Sequence, residues 1–280
     1  MIKTPKVGLA LGGGAAKGFA HLGVLKVLVN EGIPIDLIAG CSMGSIFAAL
    51  YGAGVDMKLL EKLLEQLPQK QFFDLAVPKL GLIRGHRLEA LLRLLTKEKD
   101  FSQLDIPVYV VAVDIEKGEK VVINEGSVAE AVRGSIAIPG VFTPKRWRGR
   151  LLVDGAILER VPVGVAQKYG ADVVIAVDVK FGGERGKEIK ITNIFDVILN
   201  SIELMEKEVA TPYLSEADIL IQPDLSHIAS SEFTRFKECI EIGEEAAKQA
   251  IPGIRRILTE RGIICNNPLS HTIVKEAEIK

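Results

Sequence analysis

Short continuous apolar runs alternate with segments of helical spacing along this chain. Val7–Leu11 is an apolar run ended by Gly12, Gly13 and Gly14, which predicts a buried strand and a tight loop. Residues 17–31 follow with Phe19, Leu22, Val24, Leu25, Leu28 and Val29 on one side of a helix, and Gly32 stands where a helix C-cap belongs. A second apolar run at 35–39 leads into Gly40-Cys41-Ser42-Met43-Gly44, and 45–51 reads as the next helix. The order β–loop–α–β–turn–α predicts an α/β fold with a parallel sheet and crossover helices.

Further on, 57–67 and 87–95 are amphipathic helices, 107–114 and 120–123 are strands, and 128–133 is helical. Residues 151–153 form a short strand leading to Asp154-Gly155. The nearly all-apolar 171–179 predicts a strand covered on both faces. Residues 181–190 read as a loop, 193–209 as a long helix and 219–222 as a last strand. A helix is expected over 234–258, broken at Pro252-Gly253, before a frayed tail from residue 266. No repeat or low-complexity segment occurs. The 280 residues suit one domain over 1–265, large enough to bury a core without disulfide or metal.

Composition narrows the function classes by exclusion. A net charge of −1 provides no global field for nucleic acid. The densest basic cluster, Lys145, Arg146, Arg148 and Arg150 beside Trp147, reads as a solvated hairpin tip, so no nucleic-acid partner is expected. Cys41, Cys239 and Cys265 lack CxxC or metal-ligand spacing, which points to a reducing, cytoplasmic setting and no metal. Lys3 and Lys6 before an apolar stretch mimic a signal peptide, but Gly8 and the glycine run cut it short. No run approaches the ~18 apolar residues of a spanning helix.

Three segments carry candidate chemistry. Gly40-Cys41-Ser42-Met43-Gly44 is a G-x-S-x-G between a strand and a helix. That context makes a nucleophile elbow: small flanking residues let strand and helix approach, and the serine projects at a helix N-terminus. Cys41, one residue off the tip, is expected to point into the fold. Gly12-Gly13-Gly14-Ala15-Ala16-Lys17-Gly18 offers unobstructed backbone N–H groups for an oxyanion, with Lys17 holding the loop or assisting with charge. As a phosphate loop it fails, because Lys17 is followed by Gly18 rather than Ser or Thr. A purely structural turn is the other reading. Asp154-Gly155-Ala156 ends a strand, where open α/β sheets gather active sites.

A nucleophilic serine needs a base. Of His21, His86, His227 and His271, the order Ser42…Asp154…His227 matches that of an α/β-hydrolase triad. His21 reads as a helix-surface or partly packed residue, and His271 lies in the frayed tail.

Taken together, these residues resemble the bacterial patatin-like phospholipases over about residues 6–258. The glycine loop, the elbow, a middle block Ser135-Ile136-Ala137-Ile138-Pro139-Gly140-Val141-Phe142 and Asp154-Gly155-Ala156 follow in the family's order. The resemblance implies a three-layer α/β/α fold with a mostly parallel central sheet. It also implies a Ser–Asp dyad without histidine: Ser42 as nucleophile, Asp154 as base, and backbone at Gly12, Gly13 and Gly14 as oxyanion hole. Lys17, Gly40, Gly44 and Gly155 support them. Lys17 stands where relatives often carry Arg, and the stretch after Gly155 lacks the Asn that many relatives have before Pro162.

The implied substrate is a lipid or other acyl ester, with no cofactor and with activity that survives chelators. The 57–67 and 87–95 helices, with Phe72, Phe73 and Leu82, are candidates to roof an acyl pocket or touch a bilayer; ordinary packing on the core is the plainer reading. No pattern specifies an oligomeric state. A Ser–His–Asp esterase or acyltransferase, and a lipid- or protein-binding regulator on the same fold, stand as alternatives.

Overall fold

The computed structural model describes residues 4–66, 74, 80–182 and 194–265. Leu67, Phe72, Phe73, residues 183–190 of the expected loop, His271 and the expected tail lie outside the described residues.

In chain order the elements begin with strand β1 (Val7–Leu11), helix α1 (Ala20–Asn30), β2 (Leu37–Cys41), α2 (Met43–Gly52), α3 (Met57–Gln66) and β3 (Gly81–Ile83). Next are α4 (His86–Leu95), β4 (Val108–Asp114), β5 (Glu119–Ile123), α5 (Val128–Ser135), β6 (Gly140–Phe142), β7 (Lys145–Trp147) and β8 (Arg150–Asp154). The last are α6 (Ala156–Glu159), α7 (Val163–Lys168), β9 (Val173–Val177), α8 (Ile194–Leu214), β10 (Ile219–Ile221) and α9 (Phe236–Glu260).

The main sheet has the order β10-β9-β1-β2-β4-β8-β7, with β5 also paired to β4. Strands β10, β9, β1, β2 and β4 run parallel; β5, β7 and β8 add antiparallel pairs. The central strands β9, β1 and β2 are buried on both faces, and their period of two divides the core. Val7, Leu9, Leu11, Val173, Ile175 and Val177 face the larger apolar cluster with α1, α2, α5 and α9. Ala10, Ala39, Val174 and Ala176 face a smaller cluster with α7. The result is a three-layer α/β/α architecture, as the resemblance implied.

Observed boundaries differ from those expected in instructive places. The glycine loop passes through a 3-10 turn, Ala15–Phe19, before α1 begins. β2 runs two residues further than the apolar pattern, to Cys41, so that no loop separates it from Ser42. The basic cluster is a hairpin, β7–β8, turning through Arg148 and Gly149 at positive φ. The expected break at Pro252 is absent: α9 continues through it. Pro252 is exposed, and buried Ala247, Ile254 and Leu258 on either side hold both halves to the core against the lost hydrogen bond.

One feature of the register positions the site. β4 pairs with β5 over Val110–Asp114, with β2 over Val108–Val111 and with β8 over Ala112–Asp114. Each residue range of a strand has two edges, so β5 occupies one edge and β2 and β8 divide the other. They meet end to end: Cys41 is opposite Val111, and Asp154 is opposite Ala112. The residue after Cys41 therefore comes out beside the last residue of β8.

Candidate active site

Ser42 lies between β2 and α2 with φ 51° and ψ −125°, a conformation rare for a residue with a Cβ. The surroundings impose it. A Cβ on Gly40 would lie 2.7 Å from the Gly44 carbonyl oxygen, and one on Gly44 would lie 2.2 Å from that of Leu11. Both clashes are with backbone, so both positions require glycine. Ser135 secures the turn: its Oγ accepts the Ser42 N–H at 2.8 Å and donates to the Val111 carbonyl at 2.6 Å. It thereby fills the junction where β2 gives way to β8 along β4.

The Ser42 hydroxyl donates to Asp154 Oδ2 at 2.6 Å, and the Ala156 N–H donates to Oδ1 at 2.9 Å. Both side chains are nearly inaccessible, at 5% and 4% exposure. Burial raises the Asp154 carboxyl from 3.8 to about 7, against the opposing hydrogen bonds from Ser42 and Ala156. A carboxylate with an affinity for protons near neutrality can take one from a hydroxyl far better than an ordinary aspartate.

Among the described residues no imidazole stands between these two groups. His227 is an exposed residue whose Nε2 lies 2.9 Å from Glu238 Oε1, and His86 sits at the start of α4. Cys41 is fully buried, and burial, with the Asp154 charge adding to it, pushes its thiol up, away from the thiolate.

The glycine loop lies against Ser42. A Cβ on Gly13 would lie 3.2 Å from the Ser42 Cβ and 3.5 Å from that of Ala156. Two of the three N–H groups are engaged in the backbone: Gly12 donates to the Val177 carbonyl at 3.1 Å and Gly13 to that of Arg160 at 3.0 Å. The Gly14 N–H has no acceptor among the described residues. Lys17 is buried beside this loop, with Nζ 3.5 Å from the Lys180 carbonyl. A Cβ on Gly155 would meet the Val111 carbonyl at 2.4 Å, which explains the glycine after Asp154.

Two supports were not legible as such. Arg160, which accepts the Gly13 N–H, is itself buried and forms a two-pronged pair with Asp178 at 2.6 and 3.0 Å. Burial works to raise the Asp178 carboxyl, but the guanidinium holds it below the usual carboxylate range. Asp178 stands in the apolar 171–179 run, just past the end of β9; a charge inside the run's C-terminal end, beside the Asp172 that opens it, was the available signal. His21, read as a helix-surface or partly packed residue, is fully buried beneath the glycine loop, with Nε2 2.7 Å from the Gly12 carbonyl oxygen.

Comparison with known proteins places the family and the fold. A family model described as patatin-like phospholipase matches residues 9–166. An uncharacterised NTE family protein of Mycobacterium tuberculosis is 37% identical over 185 residues, covering 65% of this chain and 51% of its own length. A lysophospholipase of Phaeosphaeria nodorum is 27% identical over 306 residues, covering 98% of this chain and 20% of its own. The chain thus spans about half the length of the mycobacterial relative and about a fifth of the fungal one. Among solved structures, VipD from Legionella pneumophila has the same fold, with TM-score 0.63 and 15% identity, covering 89% of this chain and 67% of VipD.

Proposed function

The chain belongs to the patatin-like phospholipase family, and on that premise we propose that it is a serine hydrolase of lipid-like carboxylic esters working through a Ser42–Asp154 dyad. The observation that carries the reading is the direct 2.6 Å hydrogen bond from the Ser42 hydroxyl to a buried carboxylate whose proton affinity is raised to near neutrality.

In this mechanism Asp154 accepts the Ser42 proton as Oγ attacks the ester carbonyl. The oxyanion forms against the Gly14 N–H and the N-terminus of α2, where the helix dipole favours negative charge. Of the three glycines, Gly14 is the donor; Gly12 and Gly13 shape the loop through their bonds to Val177 and Arg160. Asp154 then gives its proton to the leaving alcohol; it next takes a proton from the water that attacks the acyl-enzyme and returns it to Ser42 Oγ as the acid leaves. The dyad carries every proton transfer by itself.

The lysophospholipase name of the fungal relative supports a lipid monoester as the substrate class. Among the described residues no helix is long and apolar enough to cross a membrane. A triad through His227 is disfavoured by the direct bond from Ser42 to Asp154, which leaves no place for a ring between them.

The test is release of fatty acid from lysophospholipid micelles and from nitrophenyl esters of several chain lengths, with intact-mass detection of an acyl adduct on Ser42. Turnover by wild type and none by Ser42→Ala is the expected result. Wild type inert towards every ester, with no adduct, would defeat the reading.

A further inference from the structure

His21 is the second residue of α1 and has no exposed surface. Its Nε2 lies 2.7 Å from the Gly12 carbonyl oxygen. A carbonyl oxygen only accepts, so Nε2 carries the proton and Nδ1 is bare. Nδ1 is buried with no partner among the described residues. A charged ring would need an acceptor there; burial accordingly lowers the imidazole from 6.5 to about 4. The ring is neutral wherever Asp154 is ionised.

The peptide that His21 touches is held at both ends. The Gly12 carbonyl and the Gly13 N–H belong to one planar trans unit and point in opposite directions. His21 binds the carbonyl, and the Arg160 carbonyl takes the N–H at 3.0 Å. Arg160 is fixed in turn by Asp178. Three consecutive glycines have no Cβ to restrict them, so without these bonds the loop is free to rotate its peptides. The next peptide, between Gly13 and Gly14, carries the N–H assigned to the oxyanion.

We propose that His21 is a positioning residue: a neutral imidazole that locks the Gly12–Gly13 peptide and thereby aims the Gly14 N–H at the oxyanion. This rests on the hydrolase reading of the Ser42 site. His21 touches neither the nucleophile nor the base, so its loss weakens stabilisation of the transition state and leaves ground-state binding intact.

The experiment compares wild type, His21→Leu, which removes the donor at similar volume, and His21→Gln, whose amide can still donate to Gly12. With a nitrophenyl ester, His21→Leu is expected to lower kcat about 100-fold, with KM little changed and fluorophosphonate labelling of Ser42 slowed in parallel. His21→Gln is expected to recover most of the loss. A folded His21→Leu with wild-type kcat, or Leu and Gln variants equally impaired, overturns the proposal.

A second measurement needs neither turnover nor the Leu variant. Ring ¹⁵N shifts in the wild type are expected to show the Nε2-protonated neutral form from pH 5 to pH 9, whereas a ring titrating at an ordinary histidine pKa overturns the proposal. Wild type that neither labels nor turns over removes the hydrolase reading and this inference with it. Active wild type with an unimpaired Leu variant removes only the role of His21.

Discussion

Replacing Asp154 with Asn should abolish turnover while stabilising the fold above neutral pH. Burial raises this carboxyl from 3.8 to about 7 in the folded protein. Between those values the folded state binds a proton that the unfolded chain has released, so the wild type loses stability as pH rises through the interval. At ~1.4 kcal/mol per pH unit, the native state above pH 8 carries a cost of about 4 kcal/mol for its buried carboxylate.

Asparagine does not ionise, so it escapes this cost. It offers one acceptor where the Ser42 hydroxyl and the Ala156 N–H now use two oxygens, a loss of about 1 kcal/mol because the hydroxyl can turn and accept instead. The net gain is about 3 kcal/mol at pH 9, or on the order of 6–12 °C in Tm for a domain of this size. Below pH 3.8 both side chains are neutral, folded or unfolded, and only the small cost of the amide remains. Urea unfolding of both proteins at pH 5, 7 and 9 measures the difference. An advantage for Asp154→Asn that grows with pH supports the reasoning; a pH-independent difference, or a variant that loses ground as pH rises, refutes it.

The same carboxyl sets the pH profile of the reaction: kcat/KM should fall on the acid side with an apparent pKa near 7, and His227→Ala should keep that limb. Gly44→Ala places a methyl group 2.2 Å from the Leu11 carbonyl oxygen; a cost of about 3 kcal/mol and lost labelling of Ser42 are expected, read by denaturant unfolding and a fluorophosphonate probe. Arg160→Met leaves Asp178 buried without its guanidinium and should cost about 3–5 kcal/mol, measured by urea unfolding, with kcat reduced because the Gly13 N–H loses a fixed acceptor.

Some of this site could be read from the chain and some could not, and the division has a physical basis. The elbow is legible because its constraints are local: Gly40 and Gly44 are needed wherever a strand turns sharply into a helix that packs back on it, and the apolar run and alanine-rich helix lie on either side. The glycine loop is legible as unobstructed backbone, but which N–H groups remain available depends on the carbonyls of Val177 and Arg160, more than 140 residues away. Asp154 was assignable as a candidate from its place at a strand end, from the need of a serine for a base and from the resemblance. Its fitness for that role comes from burial and from β2 and β8 meeting on one edge of β4, which no local pattern encodes. His21 on its helix looks like any half-buried histidine until α1 is packed beneath the loop. Pro252 misled in the opposite direction: its local preference for a break is overridden by tertiary packing along α9.

The central claim is that Ser42 is activated by Asp154 directly, with no histidine between them. Fluorophosphonate labelling of wild type, Ser42→Ala, Asp154→Asn and His227→Ala, followed by intact mass, tests it most directly. The account predicts one adduct on wild type and on His227→Ala at equal rates, none on Ser42→Ala, and a rate at least about 100-fold lower on Asp154→Asn. Rapid labelling of Asp154→Asn, or loss of labelling in His227→Ala, would contradict it.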